Sequence, residues 1–382
     1  MLSASLGGGH AMANEALAAA LKAADPQAEV HFSDYLAYLN WIQRGVVQWP
    51  YLAWLRWYPS GYRWFYRWTN RPGEPQVITN SFSWAGAARM ERDLARLRPN
   101  LVVSSFIAPV SLAGAVRERR SKSFFNALIV TDYEAHRHWA RPEADLFLVA
   151  TDQVKSELVA LGMDAAKIAV TGIPISPRYA DLAQHKETKA ELRLRLGLEP
   201  DIPVILLSAG AKGIYHSYDR VVDLLSHLPL PVQVLLLAGS EASAGPVQTG
   251  PVRLHRYGFT ELFPEFLAAS DLVLGKAGGL TVSEACSLGI PMLIYDPIPG
   301  QEEGNAAFLE KVGAAIWPRN LPTLRAQLLA LLGSPERLAQ MAEAARSLGR
   351  PQAASEAAKL LVVAVEGLSS QKTPQRILEG GV

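Results

Sequence analysis

Short apolar runs recur along the chain, each followed by a Gly-bearing or polar turn and then by residues of helical periodicity. They are Leu101 to Ser104, Ala127 to Thr131, Leu146 to Ala150, Val204 to Ser208, Val232 to Ala238 and Leu272 to Leu274. Runs this short and this apolar read as buried strands, and their alternation with amphipathic helices predicts parallel α/β sheets. The runs form two sets. Between them, Thr171-Gly172-Ile173-Pro174-Ile175-Ser176-Pro177 suits neither a helix nor a central strand, so a domain boundary is expected there, with one domain over 1–177 and the other over 178–350. Thr188 to Leu196 turns helical before Val204 opens the second sheet. Pro351 to Gly367 reads as a final helix, expected over about 351–368 and able to pack back on the first domain, and 369–382 is a polar tail expected to fray. At the other end, residues 1 to 5 give only the end of a strand before Gly7.

The length of 382 residues exceeds what one hydrophobic core usually organises, which agrees with two domains. With 49% apolar and 19% charged residues the chain is globular and not disordered. A net charge of +1 gives no global argument for a nucleic-acid partner. The one cysteine, Cys286, has no partner for an intramolecular disulfide, which fits a reducing compartment. No stretch reaches the roughly 18 to 20 uninterrupted apolar residues of a spanning helix, and no basic-then-apolar leader opens the chain.

Four glycine-bearing turns carry candidate chemistry. Gly7-Gly8-Gly9-His10 precedes the Ala-rich helical run Ala11 to Ala24. Glycines there let a ligand approach the backbone, the helix N-terminus offers unpaired N–H groups, and His10 is placed to act as a general base. A plain strand-to-helix turn with a solvated His10 is the alternative. Gly275-Lys276-Ala277-Gly278-Gly279-Leu280-Thr281-Val282-Ser283-Glu284 repeats the logic after Leu272 to Leu274. A phosphate on the N-terminus of a helix starting near Thr281 would leave Glu284 for the ribose hydroxyls, while Thr281-x-x-Glu284 also reads as a capping box. Gly210-Ala211-Lys212-Gly213 is a third such turn, and Tyr257-Gly258-Phe259 a fourth, where backbone groups would read a base edge.

Two further segments add polar groups. Thr131-Asp132-Tyr133 closes a strand, and His136 and Trp139 follow at a spacing that puts both on one helical face. An acid, an imidazole and an indole at a strand end suggest proton handling beside a stacking platform, with helix capping by Asp132 and a core Trp139 as the alternative. Pro297-Ile298-Pro299-Gly300-Gln301-Glu302-Glu303-Gly304-Asn305 reads as a rigid turn presenting Gln301, Glu302 and Asn305 to a polyhydroxylated ligand, or as a solvated loop.

The segment from Trp41 to Arg71 departs from the rest. Six of the nine tryptophans lie in it: Trp41, Trp49, Trp54, Trp57, Trp64 and Trp68. Tyr51, Tyr58, Tyr62, Phe65 and Tyr66 alternate with Arg44, Arg56, Arg63, Arg67 and Arg71, and no Asp or Glu occurs. Indoles favour the headgroup layer and arginines attract anionic lipid, so Trp54, Trp57, Arg63 and Trp64 are expected at an anionic membrane surface. Stacking on single-stranded nucleic acid uses the same residue types but has no supporting signature elsewhere, so no nucleic-acid partner is expected. Five arginines make full burial in a core expensive.

Leu2-Ser3-Ala4-Ser5-Leu6-Gly7-Gly8-Gly9-His10, Thr131-Asp132-Tyr133 with His136 and Trp139, Gly278-Gly279-Leu280-Thr281 with Ser283-Glu284-Ala285, and Pro297-Ile298-Pro299-Gly300-Gln301-Glu302 with Asn305 together resemble the monogalactosyl- and monoglucosyl-diacylglycerol synthases. These are similar, more distantly, to the peptidoglycan glycosyltransferase that adds N-acetylglucosamine to lipid I. The resemblance runs from about residue 2 to 320 in one order. It implies the α/β fold class called GT-B, two Rossmann-like domains with parallel sheets facing a cleft. It further implies a UDP-hexose bound by the C-terminal half, a diacylglycerol-type acceptor on the N-terminal half, and inversion at the anomeric carbon with no metal or other cofactor. By the same resemblance His10 is the base or an acceptor-site residue, His136 and Trp139 lie on the acceptor side, Glu284 is the ribose ligand, and Gln301 and Glu302 contact the sugar; the motifs themselves add Asp132 as a catalytic candidate, Gly8 and Gly9 on the acceptor side, and Gly210, Gly213, Tyr257, Phe259, Gly278, Gly279, Leu280, Thr281 and Asn305 for the donor. The expected location is the cytoplasmic face of a membrane, as a peripheral enzyme. Two departures stand out: the clipped first strand, and Gly304 where a larger residue is expected before Asn305. A UDP-sugar epimerase of the same architecture and a non-catalytic nucleotide-sugar-binding protein are the rival readings.

Overall fold

The computed structural model describes residues 1–4, 8–71, 86–120, 124–184, 187–209, 215–237 and 246–371. The chain divides into two compact units. Unit 1 comprises Met1–Thr131, Ala135–Ser176 and Gln352–Val382, and unit 2 comprises Asp132–Glu134 and Pro177–Pro351.

The sheet of unit 1 contains β1 (Leu2–Ser3), β2 (Ser33–Asp34), β3 (Leu101–Ser104), β4 (Phe125–Ile129), β5 (Leu146–Val149) and β6 (Ile168–Val170). They lie in the order β2-β1-β3-β4-β5-β6, all parallel. The inner strands are mostly apolar and buried, with Ser104 of β3 and Asn126 of β4 as the polar exceptions. The clipped start forms a two-residue strand, and Asn14 supports it by donating from Nδ2 to the Leu2 carbonyl at 3.1 Å. The C-terminal helix Ala353–Gln371 belongs to this unit and lies against the helix Gly9–Ala24. Ala354, Ala357, Ala358 and Leu361 meet Ala16, Leu17, Ala20 and Leu21, and the small side chains let the two backbones come close.

Unit 2 holds β7 (Val204–Ser208), β8 (Val232–Leu237), β9 (Val247–Thr249), β10 (Val252–Tyr257), β11 (Leu272–Gly275), β12 (Met292–Ile294) and β13 (Ala315–Ile316). Their order is β13-β12-β11-β7-β8-β10-β9, and β9 alone runs antiparallel, along β10. The segment from Thr171 to Pro177 is free of helix and strand.

The aromatic and basic segment is a pair of helices, Trp41–Trp57 and Pro59–Thr69. Asn40 and Gln43 form a capping box at the start, Pro59 opens the second helix, and the Tyr58 ring lies over Gly61, where a side chain would have to displace it. The helices meet through Trp54, which packs on Phe65 and Tyr62 with ring centroids 4.9 and 6.4 Å away. Trp54 is half-buried against its partner helix. Trp41, Ile42, Val46, Trp49, Trp57, Tyr58 and Trp64 are exposed, Trp57 by 71% and Trp64 by 63%. Arg63 is half-buried and has partners of its own. Among the described residues no helix is long and apolar enough to cross a membrane.

Candidate active site

In unit 1 the site is built at the start of the helix Gly9–Ala24. Gly8 is its N-cap and carries no capping side chain, so the first-turn N–H groups are left for a ligand. Gly7 lies outside the described residues. His10, in that first turn, is held from three sides: Ser105 Oγ donates to its carbonyl at 3.0 Å, Thr131 Oγ1 lies 3.4 Å from Nδ1, and the Phe106 ring meets it edge-on at 5.5 Å. Burial of the imidazole pushes its pKa down to about 4, partly opposed by a hydrogen bond between the ring and the Ser105 backbone, so the ring is neutral at physiological pH. In the tautomer with the proton on Nδ1, Thr131 Oγ1 accepts from it and Nε2 keeps the lone pair that a general base needs.

Asp132 is half-buried just beyond the carboxyl end of β4 and engages partners. His136 and Trp139 are both buried, and they share a turn of 3-10 helix over Arg137–Trp139 that His136 caps, not the α-helical face expected from their spacing. His136 Nδ1 accepts from the His138 N–H at 3.1 Å, which fixes the proton on Nε2, and Nε2 donates to the Tyr66 carbonyl at 3.0 Å. Thr69 Oγ1 is 3.3 Å from the same nitrogen, and the Arg137 N–H donates to Asn70 Oδ1 at 2.9 Å. His136 thus fastens the aromatic helix pair to this turn, and both its nitrogens are committed.

In unit 2 the helix Gly279–Ser287 starts from Gly278, again with no capping side chain. It begins two residues before Thr281, so Thr281-x-x-Glu284 is not a capping box: Thr281 and Leu280 lie inside the first turn, whose N–H groups have no intrahelical acceptor. Gly275, just upstream, could not carry a Cβ without pressing on the Ser208 carbonyl at 3.0 Å. Glu284 is 3% exposed, and burial raises its carboxyl to a pKa of about 8 against the opposing hydrogen bond from Tyr179. Neither Tyr179 nor that pairing is visible in any motif.

The residues after β12 form a helix, Gln301–Lys311, where a turn was expected. Gly300 starts it from a φ of 87°, which glycine alone adopts without strain, and Glu303 accepts from the Gly300 N–H at 3.3 Å. Glu302 and Asn305 are consequently buried on the inner face while Gln301 stays half-buried at the first position. Glu302 accepts from the Ile298 N–H at 2.8 Å and has Lys276 Nζ at 3.7 Å. Lys276 is a cation within the glycine motif that sequence reasoning passed over. Asn305 accepts from the Tyr133 N–H at 2.7 Å and donates to the Ala277 carbonyl at 2.9 Å, so its amide ties the glycine turn to the Asp132–Glu134 segment of this unit. The glycine at 304 has a local reason: a Cβ there would sit 1.9 Å from Glu134 Oε2.

Tyr257 packs on Phe266 at 4.4 Å, and Phe259 is 87% exposed. Gly210 and Gly213 lie outside the described residues. Asp296 holds φ at 50°, a costly conformation for a non-glycine residue, and Ser217 Oγ donates to its carboxylate at 2.7 Å.

Residues 10–175 match the family model for monogalactosyldiacylglycerol synthase, and residues 208–361 match the C-terminal domain of glycosyltransferase family 28. The chain is 30% identical over 305 residues to a processive diacylglycerol β-glucosyltransferase of Bacillus pumilus, covering 78% of each protein. It is 28% identical over 298 residues to the protein of that name from Staphylococcus saprophyticus, covering 75% of this chain and 74% of that one. Its fold is similar to the crystal structure of Acinetobacter baumannii MurG, with a TM-score of 0.61 at 16% identity over 95% of this chain and 98% of that one. It is also similar in fold to a Neisseria meningitidis UDP-GlcNAc 2-epimerase bound to UDP-GlcNAc, with a TM-score of 0.56 at 14% identity over 96% and 98%. Two parallel sheets of GT-B type, the ordered glycine turns and the extent of these matches agree, and the chain belongs to the diacylglycerol glycosyltransferases of the monogalactosyldiacylglycerol synthase family, within glycosyltransferase family 28.

Proposed function

We propose that the protein transfers a hexose, glucose or galactose, from a UDP-sugar to the hydroxyl of diacylglycerol or a related lipid at the cytoplasmic surface of a membrane, with inversion. The observation that carries this reading is His10: a neutral imidazole oriented by Thr131 at an uncapped helix N-terminus. Its Nε2 takes the proton of the acceptor hydroxyl as that oxygen attacks the anomeric carbon. The bond from that carbon to the diphosphate oxygen breaks, and its electron pair leaves with UDP. The N–H groups at the start of the helix Gly279–Ser287 suit the negative charge that develops on the diphosphate, and Glu284 suits the ribose hydroxyls. The exposed Trp57 and Trp64, on a helix pair whose sequence carries arginines and no acid, suit an anionic lipid surface.

The test is incubation with labelled UDP-glucose and UDP-galactose and diacylglycerol-containing anionic vesicles, followed by identification of the glycolipid and of released UDP. His10→Ala is expected to lower turnover by about 10² to 10⁴. UDP-sugar interconversion without lipid product would replace this reading with the epimerase, and unchanged turnover in His10→Ala would remove the base from His10.

A further inference from the structure

We infer that Lys276 is the cation that receives the diphosphate of the sugar nucleotide, and that Glu302 holds its ammonium group in place until the donor takes it over. This deepens the reading of unit 2 as the UDP-sugar domain and rests on it. Lys276 lies in the glycine turn after β11, just before the N-cap Gly278, and Glu302 in the first turn of the helix Gln301–Lys311. Their side chains are 13% and 7% exposed, and Lys276 Nζ stands 3.7 Å from Glu302 Oε1. That separation makes an ion pair but is too long for a hydrogen bond. Among the described residues the ammonium group has no other partner, so the N–H donors of a nearly buried cation are unused within the protein. A charge taken this far out of water is costly unless it is both paired and hydrogen-bonded, and an anionic ligand supplies the missing bonds.

Glu302 is placed differently. Its Oε2 accepts from the Ile298 N–H at 2.8 Å, which fixes the carboxylate to the turn before its helix. Its Oε1, the oxygen nearest Lys276, is 3.7 Å from the point that a Cβ on Gly278 would occupy. The ammonium group and the start of Gly279–Ser287 therefore adjoin one oxygen, and a diphosphate bound at that start comes within reach of Nζ. Charge makes the lysine decisive here. In residues 275–284 and 297–305 together the acids are Glu284, Glu302 and Glu303, and Lys276 is the one cation. Without it these segments would repel a polyanion, and the UDP that departs is more negative than the UDP-sugar that arrives. Lysine carries a compact charge on a flexible stem, so its ammonium group can pass from Glu302 to the diphosphate without any change of backbone.

The experiment is calorimetric titration of the full-length protein with UDP and with uridine, which lacks the phosphates, for wild type, Lys276→Met, Glu302→Gln and the double variant. Lys276→Met is expected to weaken UDP binding about tenfold or more and to leave uridine within about twofold. Glu302→Gln keeps an oxygen for the Ile298 N–H and releases the ammonium group, so UDP is expected to bind about three- to tenfold tighter. The lysine must also count when residue 302 is neutral: from Glu302→Gln to the double variant, UDP affinity is expected to fall about tenfold or more. No fall at that step would show that the lysine only offsets the carboxylate, and would overturn the inference. Weaker UDP binding by Glu302→Gln would also overturn it, as would equal losses of UDP and uridine in Lys276→Met. Should Lys276→Met fail to fold with its carboxylate partner left buried and unpaired, the step from Glu302→Gln to the double variant, which buries neither charge, still decides. Failure of the wild type to bind UDP would instead refute the nucleotide reading of unit 2.

Discussion

Replacing His136 by glutamine should make the protein less sensitive to acid, although it removes a buried histidine. His136 is 2% exposed, and burial, reinforced by the Arg137 charge and opposed by the Tyr66 carbonyl, pushes its pKa from 6.5 to about 4. Its Nδ1 accepts from the His138 N–H, so a second ring proton would have to displace that bond inside the fold. The unfolded chain gains the proton near pH 6.5 and the folded chain only near 4. The histidine's contribution to stability is thus complete above 6.5 and is lost as pH falls toward 4. Working from those two values, the loss between pH 7 and 5 is about 2 kcal/mol, and on the order of 3 kcal/mol below pH 4. Glutamine has no such titration, and its Nε2 can reach the Tyr66 carbonyl in place of the imidazole nitrogen. Urea unfolding followed by tryptophan fluorescence at pH 7 and pH 5 would measure it. His10, His138 and His255, also lowered chiefly by burial, contribute alike in both proteins between pH 7 and 5 and cancel. His136→Gln should lose about 2 kcal/mol less than wild type between the two pH values. Equal losses would show that His136 is as free to protonate as in a peptide, and the tautomer assignment that makes it a fastening would be wrong.

Three other substitutions probe separate parts of the molecule. Glu284→Gln should stabilise the fold while weakening UDP binding: a carboxyl whose folded pKa is raised from 4.5 to about 8 loses stability as pH rises through that window, on the order of 3 kcal/mol by pH 7, and the amide does not. A thermal midpoint at pH 8 below that of wild type would contradict this. Gly349→Ala should destabilise unit 2 by about 1–3 kcal/mol, because the added Cβ would lie 2.5 Å from the Cys286 carbonyl oxygen and 2.9 Å from Ser287 Cα, backbone atoms at the end of the helix Gly279–Ser287 that cannot turn aside. An unchanged or raised urea midpoint would show that the backbone gives way. Joint replacement of the exposed Trp49, Trp57 and Trp64 by serine should leave the thermal midpoint within about 2 °C, since none is in the core, yet reduce partition onto anionic vesicles by about tenfold or more. Full retention in vesicle sedimentation would remove the lipid contact from this face.

The sequence announces what depends on neighbours along the chain and conceals what depends on distant ones. Val204 to Ser208 is legible as β7 because its first four residues are apolar and fully buried. In β10, Arg253, His255 and Arg256 interrupt the apolar pattern, and the strand is fixed by six consecutive register partners on β8 that no local pattern encodes. Helix starts are hidden for a related reason. Thr281 and Glu284 imitate a capping box, but the cap is Gly278, whose lack of a side chain leaves no trace to read and at the same time leaves the N–H groups available. The helix Gln301–Lys311 reads as a turn at its start because the first buried positions are polar: Glu302 and Asn305 point inward to satisfy Ile298, Tyr133 and Ala277, and apolar Ala306, Phe308 and Leu309 follow only later. Both misreadings fall at the proposed donor site, and a functional surface is where local rules are expected to break. His10 and Glu284 were identifiable by residue type and by the glycines before them. The groups that tune them, Thr131 and Ser105 for the histidine and Tyr179 for the glutamate, come from remote segments. The chemistry of the site can therefore be read from its motifs, while its proton affinities are set by tertiary contacts that motifs do not contain.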